Sequence, residues 1–334
     1  MLKVRKPYLV FLGDVALRSD AKTGFGLRDW CGNDVIGEWA LPEAQVSLEL
    51  PRMTPPQAAA AGAGSLVIGV APPGGQLPEA WIPTLRLALE SGLDVVSGMH
   101  TRLEQFPDLV QAAKRGGTRL VNVRHTERAM PVGTGRRRSG KRLLTVGTDC
   151  ALGKKYTALA ITRELSARGI AATFRATGQT GILISGEGIA VDAVVADFVA
   201  GTAELLSPDN APDHWDVIEG QGALFHPAYA GVTLGLLHGS QPDAIVLCHD
   251  PARSTIEDHP HIPLPPLSEA IRRYLEAGRL TNPEVCCVGV AINSSSLSDQ
   301  DWGRYREALQ AELDLPVCDP LRDGVATIID LLQT

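Results

Sequence analysis

The chain has 334 residues, 44% of them hydrophobic, 21% charged and 5% aromatic, the balance of one large or two medium globular domains. Fibrous, collagenous and disordered classes are excluded. With 31 Lys and Arg against 38 Asp and Glu, the formal charge of -7 gives no global pull toward nucleic acid or an anionic membrane, so any anion must be gripped locally.

Short runs of Val, Ile and Leu alternate with helical patterns at intervals too long for hairpins, which predicts βα units and parallel sheets. Strands are expected over residues 8–12, 66–71, 94–97 and 119–123, with helices near 78–91 and 108–115. These make a Rossmann-like domain over residues 1–130, although no G-x-G-x-x-G follows its first strand. The apolar stretch at 8–12 is too short for a signal sequence, and no run reaches the length of a membrane span. Six cysteines, at 31, 150, 248, 286, 287 and 318, show no C-x-x-C pair or zinc spacing. They read as reduced, buried thiols of a cytoplasmic protein, and no metal is expected.

Residues 131–142 are Gly-rich and basic, and read as a linker whose Arg136, Arg137, Arg138, Lys141 and Arg142 form a solvated charge run. A second βα series fills 143–334. Its strands are expected at 143–146, 171–176, 216–218, 244–248 and 285–292, and its helices near 154–168, 192–206, 268–277 and 301–313 and after Asp323. The Pro-rich segment 249–267 reads as a long irregular loop, with His249, His259 and His261 on the surface or a lid.

The most specific signal is LLTVGTDCALGKKYTALA, where an apolar strand enters a Gly-bounded loop and then a helix. Gly147 and Gly153 let the backbone wrap an anion, the N–H groups of Thr148, Asp149, Cys150, Ala151 and Leu152 line the turn, and Lys154 can reach phosphate oxygens. The usual hydroxyl after Gly-Lys is replaced by Lys155, which puts ordinary Mg-ATP chemistry in question. Thr157 is a substitute contact or a helix residue facing solvent. The loop resembles that of dethiobiotin synthetases, which share Gly-Thr-Asp and the spacing to Gly-Lys. ATP and coenzyme A both remain open as ligands.

Further polar groups follow, the first of them at an expected strand's C-terminal end, where open α/β sheets bind ligands. FRATGQTGILISGEG offers Arg175, Gln179 and Thr180 as substrate contacts, Arg175 because its planar fork suits a carboxylate. Glu219 follows an apolar strand, where phosphate-loop proteins carry a metal-binding or water-orienting acid. His226 lies in a Gly-rich segment where a general base could stand.

With GTDCALGK, ATGQTGILISGEG, DAVVADFVAG, IEGQGALFHPAYAGVTLGLLHGSQPD and AKTGFGL, the chain resembles a two-domain bacterial family of formerly unknown function. Its better-understood members are D-glutamate N-acetyltransferases of D-amino acid metabolism. The resemblance implies a Rossmann-like domain followed by a P-loop NTPase-like parallel-sheet domain, acetyl-CoA as cosubstrate, a small amino acid as acceptor and a homo-oligomer, with no nucleic acid or membrane partner. The expected chemistry puts the coenzyme's phosphates on the loop and His226 as base, with Glu219 as second base or orienter. The rival readings are a dethiobiotin synthetase-like enzyme, with ATP and with Asp149 and Glu219 on magnesium, and a non-catalytic nucleotide-binding regulator.

Overall fold

A computed structural model describes residues 3–70, 75–125 and 129–332. Two compact units emerge, one of residues 1–129 with 178–193 and the other of residues 130–177 with 194–334. In the first unit, β1 (Tyr8–Phe11), β2 (Val35–Trp39), β3 (Ser65–Ile68), β4 (Asp94–Ser97) and β5 (Leu120–Asn122) form a parallel sheet in the order β2-β1-β3-β4-β5. β1, β3 and β4 are buried along their whole length, which is why they read as continuous apolar runs. β2 escaped the sequence reading because its VIGEW has no such run. Of the strand expected at 66–71, residue 71 lies outside the described residues.

In the second unit, β6 (Lys141–Gly147), β7 (Ala172–Arg175), β8 (Trp215–Ile218), β9 (Ala244–His249), β12 (Cys286–Ile292) and β13 (Val317–Cys318) pair in parallel in the order β13-β12-β9-β6-β8-β7. The helix Lys154–Ala167 packs Ala158, Ile161 and Leu165 onto this sheet beside Leu143, Val217 and Val246. The strand order leaves β6 central, and its C-terminal end, with the loop that follows, faces the crevice where such sheets place ligands.

Two expectations are corrected here. Residues 249–267 are not one irregular loop, because β10 (Thr255–Ile256) and β11 (His259–Pro263) pair antiparallel. This hairpin tolerates Pro260 and Pro263 because a two-stranded ribbon has unpaired edges. The basic run is not uniformly solvated either. Arg138 and Arg142 are buried: Arg138 donates to Gly239 O and Ser240 O at 2.8 and 2.9 Å, and Arg142 to Ser139 O at 2.8 Å. Gly239 and Ser240 end the helix Ala230–Ser240, whose last carbonyls have no intrahelical donor, so a guanidinium caps them. Burial and the neighbouring Arg142 pull the Arg138 guanidinium down to about 10. All six cysteines are free, but only Cys248 and Cys318 are buried, and Cys286 is exposed. No helix among the described residues is long and apolar enough to cross a membrane.

Candidate active site

The loop between β6 and the helix Lys154–Ala167 is held from several sides. Gly153 has a φ of +104°, a backbone conformation that glycine adopts without steric cost. Gly220, after β8, lies so close to β6 that a Cβ would come within 1.8 Å of Thr145 O. Tyr274, on the buried face of the helix Leu267–Gly278, donates its hydroxyl to Gly147 O at 2.8 Å and accepts from Leu224 N at 3.0 Å.

Asp149 is fully buried. Its carboxylate accepts from Cys150 N at 2.7 Å, from Glu257 N at 2.7 Å and from Arg253 Nη1 at 2.9 Å. The loop is therefore braced by the hairpin segment, and Asp149 is spent on that brace, which argues against its suggested magnesium role. Lys154 is buried and donates Nζ to Asp149 O at 2.7 Å, with burial depressing its ammonium below the usual lysine value.

Thr148 meets His249 Nδ1 at 2.9 Å, and both are buried; His249 is neither a surface nor a lid residue. Thr157 does not face solvent. Its hydroxyl donates to Gly153 O at 3.1 Å and accepts from Cys248 Sγ at 3.4 Å, so it is turned into its own helix. Ala151 and Leu152 carry the turn, with Ala151 at a φ of +53° and Leu152 packed into the core.

Glu219 is buried at the end of β8. Its Oε2 accepts from Thr177 N at 3.0 Å, and Thr177 Oγ1 donates to Glu219 O at 2.6 Å. His226 is also buried, packed against Tyr229 and edge-on to His259 at ring distances of 4.5 and 5.1 Å. Its Nδ1 accepts from Ala228 N at 3.1 Å. A neutral imidazole whose Nδ1 is an acceptor carries its proton on Nε2, so in this arrangement the ring offers a donor at Nε2.

Asp149, Cys150 and His226 bring ligand-type atoms within 4.8 Å of one another. Arg253 on the carboxylate and Lys154 beside the thiol add positive charge there, and such a neighbourhood favours an anion over a cation. Burial pushes the Cys150 thiol up while Lys154 pulls it down.

The expected substrate contacts divide between the units. Arg175 pairs with the buried Asp216 through Nε at 2.7 Å. Gln179 and Thr180 fall in the first unit. There Thr180 meets the Thr23 hydroxyl at 3.0 Å, and Gln179, with its amide turned to satisfy both neighbours, donates to Gly98 O at 2.7 Å and accepts from Arg124 Nη2 at 3.1 Å. Sequence reasoning missed Arg253 and Tyr274. An arginine in a Pro-rich segment carries no motif, and a tyrosine on an amphipathic helix reads as core.

Residues 131–329 match the P-loop domain, and residues 38–126 the Rossmann-like domain, of DUF1611, described as a domain of unknown function. The chain belongs to this family. A protein of Tritonibacter scottomollicae named D-glutamate N-acetyltransferase is 46% identical over 98% of this chain and 99% of its own. A Pseudoalteromonas protein of the same name is 44% identical over the same shares. The crystal structure of a DUF1611 family protein from Anabaena variabilis superposes with a TM-score of 0.88 at 33% identity, covering 98% of this chain and 100% of that one.

Proposed function

We propose that this DUF1611 chain is a D-glutamate N-acetyltransferase that uses acetyl-CoA. The observation that carries the reading is the near-full-length identity of 46% and 44% to two relatives of that name. The site is compatible with it. The Gly-bounded loop with Lys154 at the start of its helix offers a grip for the coenzyme's phosphates, and the engaged Asp149 and Thr157 leave little to hold magnesium.

In the proposed step the neutral amine of D-glutamate attacks the thioester carbonyl. The new C–N bond forms, the C–S bond breaks, and coenzyme A leaves as its thiol. Glu219 takes the amine proton and returns it to the departing sulfur, and the Nε2–H of His226 donates to the developing oxyanion. Arg175 is the proposed clamp for a substrate carboxylate, using the guanidinium nitrogens that Asp216 does not occupy. The enzyme is proposed to work in the cytoplasm, which suits its free thiols, in D-amino acid metabolism and as a homo-oligomer.

The test is incubation of purified protein with acetyl-CoA and either D- or L-glutamate, without ATP or added metal, following free thiol and product mass. N-acetyl-D-glutamate, with one thiol per product, is expected. Absence of thiol release with either enantiomer rejects the reading.

A further inference from the structure

The histidine beside His226 has a role that neither the motifs nor the family relationship assigns. His259 opens β11, and its Nδ1 lies 2.8 Å from Glu257 O. A carbonyl oxygen only accepts, so Nδ1 carries the hydrogen of that bond and the neutral ring is bare at Nε2. This Nε2 has no hydrogen-bond partner among the described residues. Proton uptake there needs no rearrangement: the Nδ1–H stays on its carbonyl, which holds the ring and favours the imidazolium that forms. His226 has the opposite arrangement. Its Nδ1 accepts from Ala228 N, a bond that imidazolium formation would break, since both nitrogens of the charged ring are donors.

The two rings meet edge-on, with 5.1 Å between their centroids and 78° between their planes. The ribbon that carries His259 is fixed at its root. Ile256 is buried, Glu257 N donates to Asp149 at 2.7 Å, and Arg253 bridges the carboxylates of Asp149 and Glu257 at 2.9 and 3.2 Å. The charged groups of the root are thus paired with one another. His259 is half-buried, and the exposed His261 stands 6.0 Å from it, ring to ring, which gives a proton on His259 a route to solvent.

Resting on the acetyltransferase reading above, we infer that His259 is a further catalytic residue, the base that takes the first proton from the substrate's ammonium. An amino acid arrives with its nitrogen as an ammonium, which has no lone pair to attack with. His259 Nε2 removes one proton and passes it to solvent, leaving the neutral amine. The amine then forms the C–N bond as the C–S bond breaks, and its second proton travels by way of Glu219 to the departing sulfur. The attacking nitrogen and the developing oxyanion are bonded to one carbon, so the groups that serve them must stand close together. The contact of His259 with His226, the proposed oxyanion donor, meets that condition.

The experiment assays His259→Asn and His259→Ala with acetyl-CoA and D-glutamate at about pH 7 and about pH 9. Asn keeps an N–H that can donate to Glu257 O but has no basic nitrogen; Ala has neither. Both should lower kcat about a hundredfold at the lower pH, with the KM for acetyl-CoA unchanged. The deficit should shrink at the higher pH, where the substrate amine loses its proton unaided. An Asn variant as fast as the wild type, or a deficit of the same size at both pH values, overturns the assignment and leaves the acetyltransferase reading standing. A wild type that makes no N-acetyl-D-glutamate removes both.

Discussion

At the scale of single residues, the site is a set of side chains whose second partners decide what they can do. His226 is the clearest case, because one backbone N–H on Nδ1 places the neutral ring's proton on Nε2, which is why the proposed step uses it as a donor. His226→Ala is expected to lower kcat by about a hundredfold, as loss of an oxyanion donor does, while the Kd for acetyl-CoA stays within about twofold. Calorimetry beside steady-state kinetics checks this, and equal losses in both would reject the role. His226→Gln, which keeps an N–H, should recover part of the rate.

His249 gives a pH prediction. Burial holds its imidazole below the ordinary 6.5, so the folded state keeps it neutral where the unfolded chain already binds a proton. The stability it protects is present above that unfolded value and is lost as pH falls from it toward the folded one. Urea midpoints should therefore drop below about pH 6.5, and His249→Gln should flatten that slope. Nothing in HDPARSTIEDHPHIP distinguishes His249 from its two neighbours. Its place as the last residue of β9, beside Thr148, does.

At the scale of elements, the phosphate loop was legible because strand, glycine spacing and lysine are local features, and the structure builds them into contiguous backbone. The basic run was not legible, since the same five charges serve a solvated linker or a buried cap equally well. Arg138 satisfies the last carbonyls of the helix Ala230–Ser240, which lead into the N-terminal end of β9, at the opposite edge of the sheet from the loop. Arg138→Ala should cost about 2 kcal/mol of unfolding free energy by leaving these buried carbonyls unpaired. Denaturant melts should show the loss while the KM for acetyl-CoA does not change. β2 and the β10–β11 hairpin were missed for a related reason: short strands take their stability from a pairing partner, which periodicity within five residues cannot reveal.

At the scale of the whole molecule, the sequence reading of two α/β domains meets a segment that crosses between them. Residues 178–193 interrupt the second series, yet they are counted in the first unit, where Tyr8 donates to Leu183 O at 3.0 Å and Lys6 to Ile184 O at 3.3 Å. Ile182, Leu183 and Ile184 are buried. A fragment of residues 131–334 expressed alone should therefore expose these apolar side chains, bind a hydrophobic dye and aggregate more readily than the full chain. A fragment that stays monomeric and dye-silent would contradict this.

By itself the sequence determined what is local: alternating strands and helices, the Gly-bounded loop with Lys154, the acid after β8 and the motifs that mark the DUF1611 family. Each depends on residues within one turn or one strand of each other, so order along the chain is enough. Only the tertiary structure decided that Arg253 braces Asp149, that Tyr274 holds Gly147, that His226 takes a backbone N–H on Nδ1, and that a cleft opens beside the loop. The first two join residues 104 and 127 positions apart and the cleft gathers residues from Ala151 to Leu321, while the His226 outcome turns on which way one ring faces. Hydrogen bonds and packing fix such choices after the chain has folded.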